Sequence, residues 1–162
     1  MMNKVHVLVV IALWLLLNAS CSTKYQAEDY SVHFKGIKWG ERIQDLDQFE
    51  IVKRIDASSF VAVRRNENLS LGEARLEEVT YYFRNNSLQR VQGVIPGYGG
   101  LLSVKRLMTE EYGPPVLNDT TMNRYIWKLG NELSFFMSYY KSSDRALVHF
   151  NFGHSVPYTG DD

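Results

Sequence analysis

Between Arg124 and Phe152 apolar side chains occupy every second position in three successive stretches. Tyr125, Trp127 and Leu129 share one face of the first stretch, and Leu133, Phe135, Met137 and Tyr139 share one face of the second. Ala146, Val148, Phe150 and Phe152 share one face of the third. A period of two with a single apolar face marks antiparallel strands that are wet on one side. The connections, Gly130-Asn131 and Lys141 to Asp144, are short and polar, so a meander is the natural arrangement. Arg75 to Arg84 repeats the pattern, with Val79, Tyr81 and Phe83 opposed by Glu78, Thr80, Tyr82 and Arg84. Asn85-Asn86-Ser87 then supplies turn chemistry, because Asn tolerates the left-handed region, and Leu88 to Ile95 returns with Val91 and Ile95 inward.

Elsewhere the pattern is less decisive. Glu50 to Ile55 and Ser59 to Arg65 read as strands, but the period of the second does not say which face is buried. Glu41 to Phe49 reads either as a short helix with Ile43 and Leu46 inward or as a loop, since no cap is convincing. Leu101, Val104, Met108 and Tyr112 recur at helical spacing, and Gly113-Pro114-Pro115 ends that helix. Gly97-Tyr98-Gly99-Gly100 precedes it, without the lysine of a phosphate-binding loop, and reads as a flexible strand-to-helix turn. The expectation is an α+β domain over residues 32–152, an antiparallel sheet of six or seven strands with two short helices packed on one face. Helix and strands follow in that order twice, with no residue-by-residue identity between the halves, which leaves a duplication open.

Ahead of the domain, Lys4 precedes a charge-free apolar run, Val5 to Leu17, and Ala19, Ser20 and the chain's sole cysteine, Cys21, follow it. A run of 13 residues, interrupted by His6, falls short of the roughly 20 that span a bilayer as a helix. A positive end, an apolar stretch and a small-residue exit are the pattern of a secretory signal peptide over residues 1–20. A signal that ends at a lone cysteine resembles that of bacterial lipoproteins, although Asn18 stands where that family usually has Leu and Leu17 lies one place early. The resemblance implies acylation of Cys21, a membrane partner through that anchor, and a periplasmic location. Ser22 resembles an outer-membrane address. Ordinary cleavage after Ser20 and an uncleaved signal anchor are the alternatives. Residues 21–31 read as a polar tether and 153–162 as a frayed tail.

Charge narrows the partners. The whole chain balances 18 basic against 18 acidic residues, and loss of Lys4 with the signal leaves a net charge of −1. Phosphate binding needs a surplus of Lys and Arg, so nucleic acid is not expected. The mature chain has three histidines, His33, His149 and His154, and no Gly-x-Ser-x-Gly elbow, His pair at i, i+4 or cysteine pair. No catalytic residue, metal site or cofactor is therefore expected. His149 falls on the outward face of its strand and reads as a surface histidine. By the same alternation Phe136, Tyr140 and Leu147 point outward beside it, rimmed by Ser134, Ser138 and Arg145. Such a patch suits a protein contact; the alternative is a second layer of helix or early strands over that face.

Gly36-Ile37-Lys38-Trp39-Gly40 with a short helix, then Tyr112-Gly113-Pro114 with a Trp-bearing strand, resembles uncharacterised small periplasmic lipoproteins. A helix ending in Gly-Pro ahead of a meander is more distantly similar to the outer-membrane assembly lipoprotein (SmpA/OmlA) family and to β-lactamase-inhibitor-like folds. That resemblance implies a binder and transfers no site residues. The expected function is a lipid-anchored periplasmic binding or envelope-assembly accessory protein without catalysis. A small lipid-anchored hydrolase acting on cell wall or lipid is the alternative, to be favoured by a cleft holding His33 or His149 beside a carboxylate.

Overall fold

The computed structural model describes residues 29–153. Residues 1–28, with Cys21, the run read as a signal and most of the stretch read as a tether, and residues 154–162, with His154, lie outside the described residues. The domain is built on one antiparallel sheet of eight strands. Its members are β3 (Phe49–Arg54), β4 (Phe60–Arg64), β7 (Glu78–Arg84), β8 (Ser87–Pro96), β9 (Leu117–Asp119), β10 (Arg124–Leu129), β11 (Leu133–Tyr140) and β12 (Arg145–Phe152). Their spatial order is β3-β4-β7-β8-β12-β11-β10-β9. Each half of the sheet therefore runs from edge to centre in chain order, and the halves meet where β8 pairs with β12. Two small hairpins stand apart, β1 (His33–Phe34) with β2 (Ile37–Lys38) and β5 (Ser70–Leu71) with β6 (Ala74–Arg75). The single α-helix among the described residues, α1 (Gly97–Tyr112), links the halves.

The antiparallel sheet and the helix after it stand as the alternation predicts, but the counts differ. The sheet has eight strands rather than six or seven, and one helix packs on it rather than two. Residues 41–49 do not form an α-helix. They hold only a 3-10 turn at Ile43–Asp45 before β3 begins at Phe49. That turn has no side-chain cap, and Arg42 already pairs with Ser87 in an isolated bridge. Short uncapped segments lack the hydrogen bonds needed to propagate a helix.

The Gly-rich segment is also not a flexible turn. It forms the first turn of α1, with the Gly97 amide donating to Asp144 O at 2.8 Å. Gly100 has a packing role there: a Cβ at this position would lie 2.4 Å from Ile95 Cγ2, so only glycine lets the helix start so close to β8. Asn85 and Asn86 both take positive φ, 52° and 63°, and close the β7–β8 hairpin in two residues. A primed turn of this kind matches the twist of the flanking strands.

The core lies between α1, the two small hairpins and one face of the sheet. Leu101, Val104 and Met108 of α1 are buried with Phe60, Tyr81, Val91, Ile95, Phe135, Val148 and Phe150. Trp127 Nε1 donates to Gly113 O at 3.0 Å and ties the helix end to β10. Tyr30, placed in the tether by its polar neighbours, belongs to the core: it is 2 % exposed, its amide donates to the Tyr112 hydroxyl at 2.9 Å, and its carbonyl accepts from Trp39 Nε1 at 2.9 Å. At one end of the core a buried polar cluster joins the turn of the β1–β2 hairpin to the segment after β4. Lys35 Nζ lies 3.3 Å from Glu67 Oε1, and the Tyr81 hydroxyl donates to Glu67 Oε2. Burial, and then the Glu67 carboxylate, hold the Tyr81 hydroxyl far above its ordinary range.

Candidate functional site

The other sheet face carries no helix among the described residues. Strand register sets its side chains in rows. One row reads Leu117, Ile126, Phe136, His149, Gln92 and Thr80 from β9 to β7. The next reads Asp119, Arg124, Ser138, Leu147, Val94 and Glu78. Phe136, Leu147, Ile126, Val94 and Val61 are half-buried, shaded by neighbours on the same face, and Tyr140 is 44 % exposed. None of them belongs to the core cluster or packs against it. A sheet covered on one side must place its apolar alternates on the other side in water or against a partner.

Phe136, Tyr140, Leu147 and His149 thus lie on one face, as the alternation predicts. Neither α1 nor the early strands form a second layer over them. The rim differs from expectation: Ser138 is 2 % exposed, enclosed between Leu147 and Arg124 in its row, while Arg145 is exposed and pairs with Glu77, Nε to Oε2 at 2.6 Å. Ile126, Val94 and Val61 extend the patch. Sequence reasoning passed over them because the placement of Ile126 opposite Phe136 and of Val94 opposite Leu147, with Val61 farther out beyond Tyr82 and Arg90, depends on the pairing of strands distant in the chain.

His149 is not a freely solvated surface histidine. Its ring centre lies 5.8 Å from that of Phe136, and burial, then the charge of Arg90, lower its pKa to about 4. The ring is therefore neutral at physiological pH. Arg90 itself lies over the Tyr82 ring at 4.6 Å, and Tyr82 OH bonds Gln92 Oε1 at 3.1 Å, so the face around His149 is internally tied. An acid–base histidine needs a carboxylate or nucleophile in reach, and a carboxylate would raise the pKa rather than lower it. His33 lies on β1 beside the exposed carboxylate of Asp29, whose pKa is lowered first by the Ser31 hydroxyl and amide and more weakly by His33.

Two surface cavities lie away from both histidines. One of about 380 Å³ is bordered by Gly72, Arg106, Leu107 and Glu110, and one of about 400 Å³ by Glu67, Ser70, Glu73 and Arg75. Among the described residues no three His, Cys, Asp or Glu side chains gather as metal ligands, and no helix is long and apolar enough to cross a membrane. No protein-family model, no curated protein and no solved structure matches the chain.

Proposed function

We propose that the chain is a lipid-anchored protein of the bacterial periplasm, on the outer membrane, that holds a protein partner of the envelope against its open sheet face and has no catalytic step. The observation that carries this reading is the sheet face that no described element covers, where Phe136, Leu147 and Ile126 lie side by side with Tyr140 at the margin. Aromatic and aliphatic groups ringed by charges of both signs, here Arg124, Lys128, Arg145 and Glu78, suit a protein surface better than a polyanion.

Cys21 supplies the anchor in this reading. The core begins at Tyr30, so the chain from Cys21 can hold the domain no more than about 30 Å from the membrane at full extension. Multiple acyl chains make such an anchor stable where one does not, and confinement raises the effective concentration of the open face near a membrane-bound partner. A hydrolase reading draws less support: the histidine with the altered pKa stands beside Arg90, and neither cavity is bordered by a histidine.

Feeding cells a clickable palmitate analogue and fractionating them tests the anchor. Label on the wild-type chain and its loss, with release from the membrane, in Cys21→Ala are the expected results. Membrane attachment that is unchanged in Cys21→Ala would show that Cys21 is not the anchor.

A further inference from the structure

The strand β3 ends the sheet on one side, and from Glu50 to Asp56 every residue is exposed, including Ile51 at 42 %, Val52 at 55 % and Ile55 at 59 %. An edge of this length, with no strand beside it among the described residues, offers unpaired backbone groups to another strand. Its pairing with β4 carries a bulge. Phe49, Ile51 and Arg54 oppose Arg64, Ala62 and Phe60, whereas Glu50 and Lys53 oppose Val63 and Val61, and Val52 is the extra residue.

The bulge changes which residues share a face. Strand alternation alone would set residues 50 and 53 on opposite sides. The inserted residue shifts the phase, so Glu50 and Lys53 both project with Val61 and Val63 from the open face. Phe49 and Arg54 both project toward the core side, where Phe49 packs on Tyr81 at 4.8 Å between ring centres and Arg54 lies 5.2 Å over Phe60. As a result β3 is complementary to itself. Laid antiparallel against a second copy about a two-fold axis normal to the sheet, Glu50 of each copy meets Lys53 of the other. Phe49 meets Arg54 in the same way, and Ile51 and Val52 meet across the axis. The two bulges then coincide and leave the new ladder in phase. A register two residues away sets Glu50 against Ile55 and leaves its charge unmatched.

We infer that the β3 edge is a self-association surface, and that two copies of this chain join β3 to β3 into one continuous sheet. The interface is isologous, as a two-fold contact requires. It is also small, below the roughly 1,200 Å² of stable complexes, so the dimer is weak and depends on concentration. Lys53, Arg54 and the bulge turn away unrelated strands, while Glu50 makes the copy of this chain the exception. The inference is independent of any partner on the open face.

Sedimentation velocity of the full chain in non-ionic detergent, over a concentration series and at low and high salt, tests it. The wild type is expected to pass from monomer to dimer, less readily at high salt. Glu50→Lys or Lys53→Glu each place like charges opposite one another twice per dimer and weaken association by about tenfold, and the double exchange restores it. Both side chains are exposed, so the fold is retained, as circular dichroism would check. A wild type that stays monomeric throughout, single exchanges without effect, or a double exchange as weak as the singles would each overturn the inference.

Discussion

His149 sits between Phe136 on β11 and Gln92 on β8, opposite each across its ladder, with the Phe136 ring centre 5.8 Å away. This places a titratable ring in the middle of the open face, dry enough that its pKa falls to about 4.

The pH dependence follows from that placement. Because the folded-state pKa is lowered from the ordinary 6.5, the unfolded chain binds the proton first as pH falls. Stability is thus unaffected by this group above about pH 6.5 and declines between there and about pH 4, by on the order of 3 kcal/mol at full extent. Urea unfolding across pH 4 to 7 should show this slope in the wild type and a shallower one in His149→Leu. Equal slopes would mean that His149 titrates as an ordinary surface histidine.

Gly100→Ala tests the approach of α1 to β8. The added methyl would lie 2.4 Å from Ile95 Cγ2, and Ile95 is fully buried, so the helix start must move away. A loss of about 1–3 kcal/mol is expected, as for overpacking in a core. Gly99, where a Cβ meets open space, is the control, and its alanine variant should unfold at or above the wild-type urea midpoint.

Glu67→Gln addresses the buried cluster. The Tyr81 hydroxyl keeps an acceptor, but Lys35 loses its carboxylate while remaining buried. Lys35 still bonds Asn68 O, but removing the counter-charge of a buried pair costs up to about 3–5 kcal/mol. Thermal unfolding should show a large drop for Glu67→Gln and a smaller one for Tyr81→Phe, which removes a hydrogen bond and leaves the ion pair intact.

Much of the sheet was legible in the sequence because one-sided burial writes itself as a period of two. Tyr125, Trp127 and Leu129, then Leu133, Phe135 and Met137, then Ala146, Val148 and Phe150 lie inward where alternation puts them. What was missed depends on contacts between distant residues. The three-residue β9 exists through its pairing with β10, and the two-residue hairpins have no period to display. Glycines at 97 to 100 look like flexibility until Ile95 is seen against Gly100. Tyr30 resembles its polar neighbours until the Tyr112 hydroxyl reaches its amide. The patch was half legible: Phe136, Tyr140, Leu147 and His149 came from alternation, whereas the drying of His149 and the addition of Ile126 and Val94 needed the strand order.

Site-specific photocrosslinking in cells tests whether the chain is a membrane-tethered binder that works through its open sheet face. A photoreactive residue at Tyr140 or Lys128, on the open face, is compared with one at Leu102 or Glu110 of α1, all four being exposed. One recurrent envelope protein should be captured from both open-face positions, not from the helix positions, and lost on Leu147→Asp. Capture of that protein from α1, or no adduct at the open face while the chain remains in the membrane, would contradict the binder reading.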